Sequence, residues 1–83
     1  MSPGATNRSN KHASAREALA ANIVALRHEK GWSQEALAFE CGLHRTFVAH
    51  VERLSRNISL DNVERLAVAL GVQPYELLKP RSD

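Results

Sequence analysis

Four times in this chain an apolar residue precedes a possible capping position and a second apolar residue follows four positions after that cap. The sets are Trp32-Ser33-Leu37, Leu43-His44-Val48, Ile58-Ser59-Val63 and Val72-Gln73-Leu77. This is the spacing of the hydrophobic staple, in which the residue ahead of a helix packs on its first turn and fixes the entry angle. Ser33 and Ser59 carry a short hydroxyl that can accept from the free N–H groups of a first turn. His44 and Gln73 are poorer caps, but Pro74 is preorganised for a first helical position. Upstream, Ala15, Leu19, Ile23 and Leu26 recur at spacings of three and four, and Lys30-Gly31 follows as a basic last turn and a terminal glycine. The pattern predicts five helices, at roughly 14–30, 33–41, 44–53, 59–70 and 74–79. The short connections between them favour a bundle.

Size and composition agree with that reading. Eighty-three residues make one domain, and a chain this short buries only ~60% of its unfolded surface. Apolar residues are 43% of the total, and the aromatics are only Trp32, Phe39, Phe47 and Tyr75. Ala, Leu and Val dominate the rest, and β-branched runs are absent, so the fold class expected is all-α and compact. Cys41 is the single cysteine and cannot form an internal disulfide. No apolar stretch approaches the ~20 residues that span a bilayer. The first residues also lack the apolar centre of a secretion signal. A reducing, cytoplasmic setting with no membrane partner is the expectation. The formal charge of +2 says little by itself; where the charge sits says more. Residues 1–13 are polar, contain Pro3 and Gly4, and show no apolar period; they read as a disordered arm. Residues 14–80 read as the folded domain.

The informative window is 34–53. Turned at ~100° per residue, the third helix sets Val48 and Val51 on one side. Arg45, Thr46, Ala49, His50 and Arg53 fall on the other, with Phe47 and Glu52 at the borders. A basic, polar stripe with a small residue in its middle suits close approach to a DNA major groove, which is about as wide as a helix. Arg45 can pair bidentately with guanine, and Thr46 or His50 can meet other base edges. Ala38 is small where two helices would cross. Gly42 lies in the tight turn, where a positive φ is cheap only for glycine. Leu37, Cys41, Val48 and Val51 would pin the two helices together as a helix-turn-helix. Ser33 and Gln34, at the start of the second helix, suit a phosphate. Arg53, Arg56 and Asn57 could hold the backbone beyond the third helix.

With those residues in view, the stretch from Asn22 to Leu78 resembles the Xre/Cro/C1 family of helix-turn-helix regulators, which have the lambda-repressor-like fold. "NIVALRHEKGWSQEALA" and "GLHRTFVAHVERLSRN" with "LDNVERLAVALGV" carry the likeness. Within that family "RTFVAHVERLSRN" is most similar to the small controller proteins of restriction-modification systems. The resemblance implies a dimeric transcription regulator that binds double-stranded DNA, with RNA polymerase as a further candidate partner. It implies base-reading positions at Arg45, Thr46 and His50, with His44 and Ala49 beside them, and backbone contacts at Gln34 and Arg53. It also implies a structural salt bridge between Arg27 and Glu52. Three departures stand out: His44 replaces the usual Ser or Thr cap, Leu54 stands where Gly or Asn is common, and Phe47 stands where controller-like sequences often have Tyr.

Other chemistries find little support. Among Cys41, His44 and His50, Cys41 and His50 point to different surfaces and a fourth ligand is missing, so no metal site is expected. The periodicity of Cys41 makes it a core residue rather than a nucleophile. No phosphate-cradling loop, carboxylate pair or Ser/His/Asp set is visible, so neither an enzyme nor a cofactor is expected. Tyr75, Leu77 and Leu78 form a late apolar cluster. They either close the core or, with Leu54, supply a homodimer surface. One short helix reads too few bases for useful specificity, which favours a dimer with recognition helices ~34 Å apart on a pseudo-palindromic site. The alternative function is an antitoxin or other protein-interaction module built on the same fold.

Overall fold

The computed structural model describes residues 14–54 and 57–81. The arm expected at 1–13 lies outside them, as does Arg56. Five helices follow in order: α1 (Ala15–Glu29), α2 (Gln34–Cys41), α3 (Arg45–Glu52), α4 (Leu60–Leu70) and α5 (Pro74–Leu78). No strand occurs among the described residues.

Each helix starts one residue after a capping position. Ser33 Oγ accepts from the Ala36 N–H at 3.0 Å, and Ser59 Oγ from that of Asn62 at 3.2 Å. Ser14 begins α1 with a reciprocal pair. Its hydroxyl accepts from the Glu17 N–H at 3.1 Å, and the Glu17 carboxylate accepts from the Ser14 N–H at 3.0 Å. That capping box satisfies two groups that would otherwise lack helical partners. His44 makes no side-chain cap bond, so α3 forgoes the ~1 kcal/mol that a Ser or Thr cap supplies. Its start relies instead on the Leu43–Val48 staple, in which Val48 is a core residue and Leu43 packs half-buried against it.

The other three staples behave alike. Leu37, Val63 and Leu77 are fully buried, and Trp32, Ile58 and Val72 pack against the core from its rim. α1 lies against α3, α4 and α5, and α2 against α3 and α4. Leu19 and Ile23 of α1, Val48 and Val51 of α3, and Leu66 and Leu70 of α4 fill the centre. Each such side chain contributes ~1.5–3 kcal/mol by leaving water. The expected stripe on α1 is displaced at its first position. Ala15 is exposed, while Ala18 and Asn22 are buried.

Among the described residues, Asn22 is the buried polar side chain, only 2% exposed. Its Nδ2 donates toward the carbonyls of Glu76, Leu77 and Lys79 at 3.2, 2.8 and 2.9 Å. Arg81 Nη1 donates to its Oδ1 at 3.1 Å. The carbonyls at the end of the five-residue α5 thus find a partner on α1. A helix this short could not hold its place by its own bonds.

Two of the left-handed residues that follow helices, Gly42 and Leu54, differ in kind. Gly42, after α2, has φ 71°, and the Leu43 N–H reaches back to the Ala38 carbonyl at 2.9 Å. The sharp reversal between α2 and α3 depends on it. After α3, Leu54 has φ 63°, and its N–H reaches the Val51 carbonyl at 3.0 Å. This explains why Gly or Asn is common there in similar sequences. A leucine must accept the Cβ crowding that those residues avoid or tolerate, ~1–2 kcal/mol.

Candidate nucleic-acid interface

The α2–turn–α3 unit is pinned from beneath and open above. Leu37, Ala38 and Cys41 of α2 and Val48 and Val51 of α3 are buried together. The Cys41 thiol donates to the Leu37 carbonyl at 3.1 Å, and burial pushes its pKa up. Leu43 in the turn and Phe47 on α3 are half-buried against the same core. Phe47 therefore spends its ring on packing.

The opposite side of α3 faces solvent. Arg45, Thr46 and Arg53 are exposed, and Ala49 and His50 are half-buried between them. His44, at the start of α3, is exposed, as is Asn57 beyond its end. The result is one outward ridge with a cation at each end and a small residue midway. Arg56 is outside the described residues.

At the start of α2 the arrangement is richer than spacing alone suggests. Ser33 is exposed, and its hydroxyl oxygen accepts from the Ala36 N–H as the cap of α2. The Glu52 carboxylate, on the inner border of α3, collects three donors. Arg27 Nε donates to Oε2 at 2.8 Å, and Arg27 Nη2 donates to Oε1 at 3.0 Å. Gln34 Nε2 also donates to Oε1, at 2.8 Å. Arg27 Nη1 donates in addition to the Trp32 carbonyl at 3.0 Å. The Arg27 and Glu52 side chains are only 11% and 7% exposed. The bidentate pair locks α1 to α3, and the Gln34 bond draws the start of α2 into the same knot. Sequence reasoning placed Arg27 and Glu52 together but missed the Gln34 bond. The two residues are 18 apart and meet only once α2 and α3 are folded against each other.

The late apolar cluster divides. Leu77 is fully buried inside its own chain and has no surface to offer a second copy, so its role is core closure. That removes it from the set of four named as a dimer face. Tyr75 is 65% exposed, Leu54 39%, and Leu78 is half-buried. Leu60, not anticipated from sequence, is 76% exposed. It lines a groove of ≈ 310 Å³ with Ile58, Leu78 and Ala15. No local signal marks Leu60 as unpartnered, because it occupies an ordinary first helical position.

Among the described residues no group of three or more His, Cys, Asp or Glu side chains could hold a metal ion. No described helix is long and apolar enough to cross a membrane.

A left-handed glycine between two short helices, a shared apolar underside and an exposed polar ridge together define a helix-turn-helix. The helix-turn-helix family model matches residues 23–77, and the chain belongs to that family. It is 55% identical over 68 residues to a hypothetical transcription factor of Neisseria meningitidis serogroup B, a match covering 82% of this chain and 64% of that protein. It is 63% identical over 46 residues to the control protein C.BamHI of Bacillus amyloliquefaciens, covering 55% of this chain and 57% of that one. The chain thus spans less than two thirds of the length of either relative. Among solved structures, it is similar to the restriction-modification controller protein C.Esp1396I as a tetramer in complex with its natural 35 base-pair operator. The TM-score is 0.71 and the identity 31%, over 81% of this chain and 92% of that one.

Proposed function

We propose that this protein is a sequence-specific DNA-binding transcription regulator of the restriction-modification controller type. It acts as a homodimer on a pseudo-palindromic operator. The observation that carries the reading is the exposed ridge of α3, Arg45 through Arg53, held outward by a fully buried underside. Arg45, Thr46 and His50 read base edges in the major groove, flanked by His44 and by Ala49, whose small side chain permits close approach. Ser33 and Gln34 at one end, and Arg53 and Asn57 at the other, contact the sugar-phosphate backbone and supply most of the salt-dependent affinity, with Arg56, outside the described residues, as a further backbone contact. The second copy packs on Leu54, Tyr75 and Leu78, and on the exposed Leu60, which lines a groove with Leu78. C.Esp1396I, bound to its operator as a tetramer, supports an oligomer on DNA. RNA polymerase is the further partner in regulating transcription, and the working place is the cytoplasm, where both are found. The relatives do not support the antitoxin or interaction-module alternative.

Selection of bound duplexes from a random pool tests this reading. The expected result is one enriched motif of two inverted half-sites with centres ~10–10.5 base pairs apart, or a multiple of that spacing. A pool that shows no enrichment after repeated rounds overturns it.

A further inference from the structure

We infer that Glu52 is a positioning residue for DNA binding. Its carboxylate fixes which end of the Gln34 amide faces the DNA, so that an N–H and not the carbonyl meets a phosphate. The inference rests on the proposed role of Gln34 as a backbone contact.

A glutamine amide has a donor end and an acceptor end of nearly equal shape. On an open surface it turns freely, and a carbonyl turned toward a phosphate is repelled. In this protein the choice is made in advance. A carboxylate paired with an arginine only accepts hydrogen bonds, so Gln34 must present its NH2 to Glu52 Oε1, as it does at 2.8 Å. The NH2 carries two hydrogens. Glu52 takes one, and the second is left for another acceptor. Glu52 is itself held by both Arg27 contacts and is 7% exposed, so it cannot swing away to release the amide. The same carboxylate sits on α3. The clamp at the start of α2 and the ridge that reads bases are therefore tied into one rigid unit, and a phosphate bound by Gln34 sets the register of α3 directly.

The test is a double-mutant cycle in operator affinity, using the duplex obtained by selection and the variants Gln34→Ala, Glu52→Gln and both together. Gln34→Ala is expected to weaken binding about tenfold, on matched and mismatched sequences alike. Glu52→Gln replaces a pure acceptor with a second amide that can turn, and a loss of similar size is expected. In the Gln34→Ala background the loss from Glu52→Gln should shrink at least about threefold. Effects of Glu52 that run through Arg27 or through stability occur in both backgrounds and cancel in the ratio. An equal loss in both backgrounds overturns the inference. Should Glu52→Gln fail to fold, NMR of the unaltered protein decides the matter. One Gln34 side-chain hydrogen is expected to be shifted downfield and slow to exchange in the free protein. The other is expected to move downfield only when operator is added. Two hydrogens at ordinary solvent-exposed positions, with and without operator, overturn it. Failure of the regulator reading looks different, because the unaltered protein then selects no duplex at all.

Discussion

Removing the Glu52 carboxylate alone, by Glu52→Met, leaves the Arg27 guanidinium about nine-tenths covered with its bidentate partner gone. Breaking such a pair from one side costs ~3–5 kcal/mol, because the remaining charge stays desolvated. A chain of 83 residues has ~4–12 kcal/mol of stability in total. At ~4–8 °C per kcal/mol for a domain of this size, even a loss of ~3 kcal/mol lowers the Tm by ~12–24 °C. Arg27→Met should cost a similar amount, since it also abandons the bond to the Trp32 carbonyl. The double variant Arg27→Met/Glu52→Met places two thioether side chains of comparable length where the ions were. It should return to within ~1.5 kcal/mol of the parent. Urea titration of the four proteins, followed by far-UV circular dichroism, gives the coupling energy. Single variants within ~0.5 kcal/mol of the parent would mean that the pair behaves as a surface bridge. A double variant as unstable as the two singles summed would mean that Arg27 and Glu52 act through separate partners. Either result refutes the view of the pair as one desolvated unit.

Three further outcomes are expected. Arg53→Ala should weaken binding to all duplexes by a similar factor and lower the slope of log affinity against log salt by about 1, measured by fluorescence anisotropy; a loss confined to one sequence would contradict a backbone role. Gly42→Ala should destabilise by ~1–2 kcal/mol in urea titration. The cause is backbone conformation and not crowding, since a Cβ there would meet Arg65 Nη1 at an ordinary 3.6 Å. The Cys41 pKa is raised by burial, so the folded state favours the neutral thiol. Its contribution to stability is full below the ordinary thiol range and is lost as pH rises through the raised folded value. Cys41→Ala should therefore flatten the alkaline limb of a stability–pH curve, and an unchanged limb would show that other groups dominate it.

Local order was readable because it rests on neighbours in the chain. The four helices after α1 each begin within a residue of a position marked by a cap and its staple, and Gly42 takes the left-handed turn that the spacing demanded. The outward ridge of α3 follows from a helical period of which one side is Val48 and Val51. What escaped notice depends on contacts across the fold. Asn22 reaches carbonyls 54 to 57 residues away, and nothing in its own segment distinguishes it from a solvent-facing polar residue. Leu77 and Leu78 are adjacent, and only the seating of α5 against α1 decides that the first is buried and the second half-covered. Leu54 stood out as a departure from similar sequences, but its cause, a left-handed backbone, is visible only in three dimensions.

Methylation interference on the selected operator asks most directly whether α3 reads the major groove. Methylating guanine N7 adds bulk on the major-groove edge alone, where Arg45 would pair. One guanine per half-site should block the parent protein when methylated. Arg45→Ala should bind ~1–3 kcal/mol more weakly, with that guanine no longer mattering. A parent protein indifferent to every N7 methyl group, or an Arg45→Ala variant that keeps the same interference pattern, would contradict the placement of this helix in the groove.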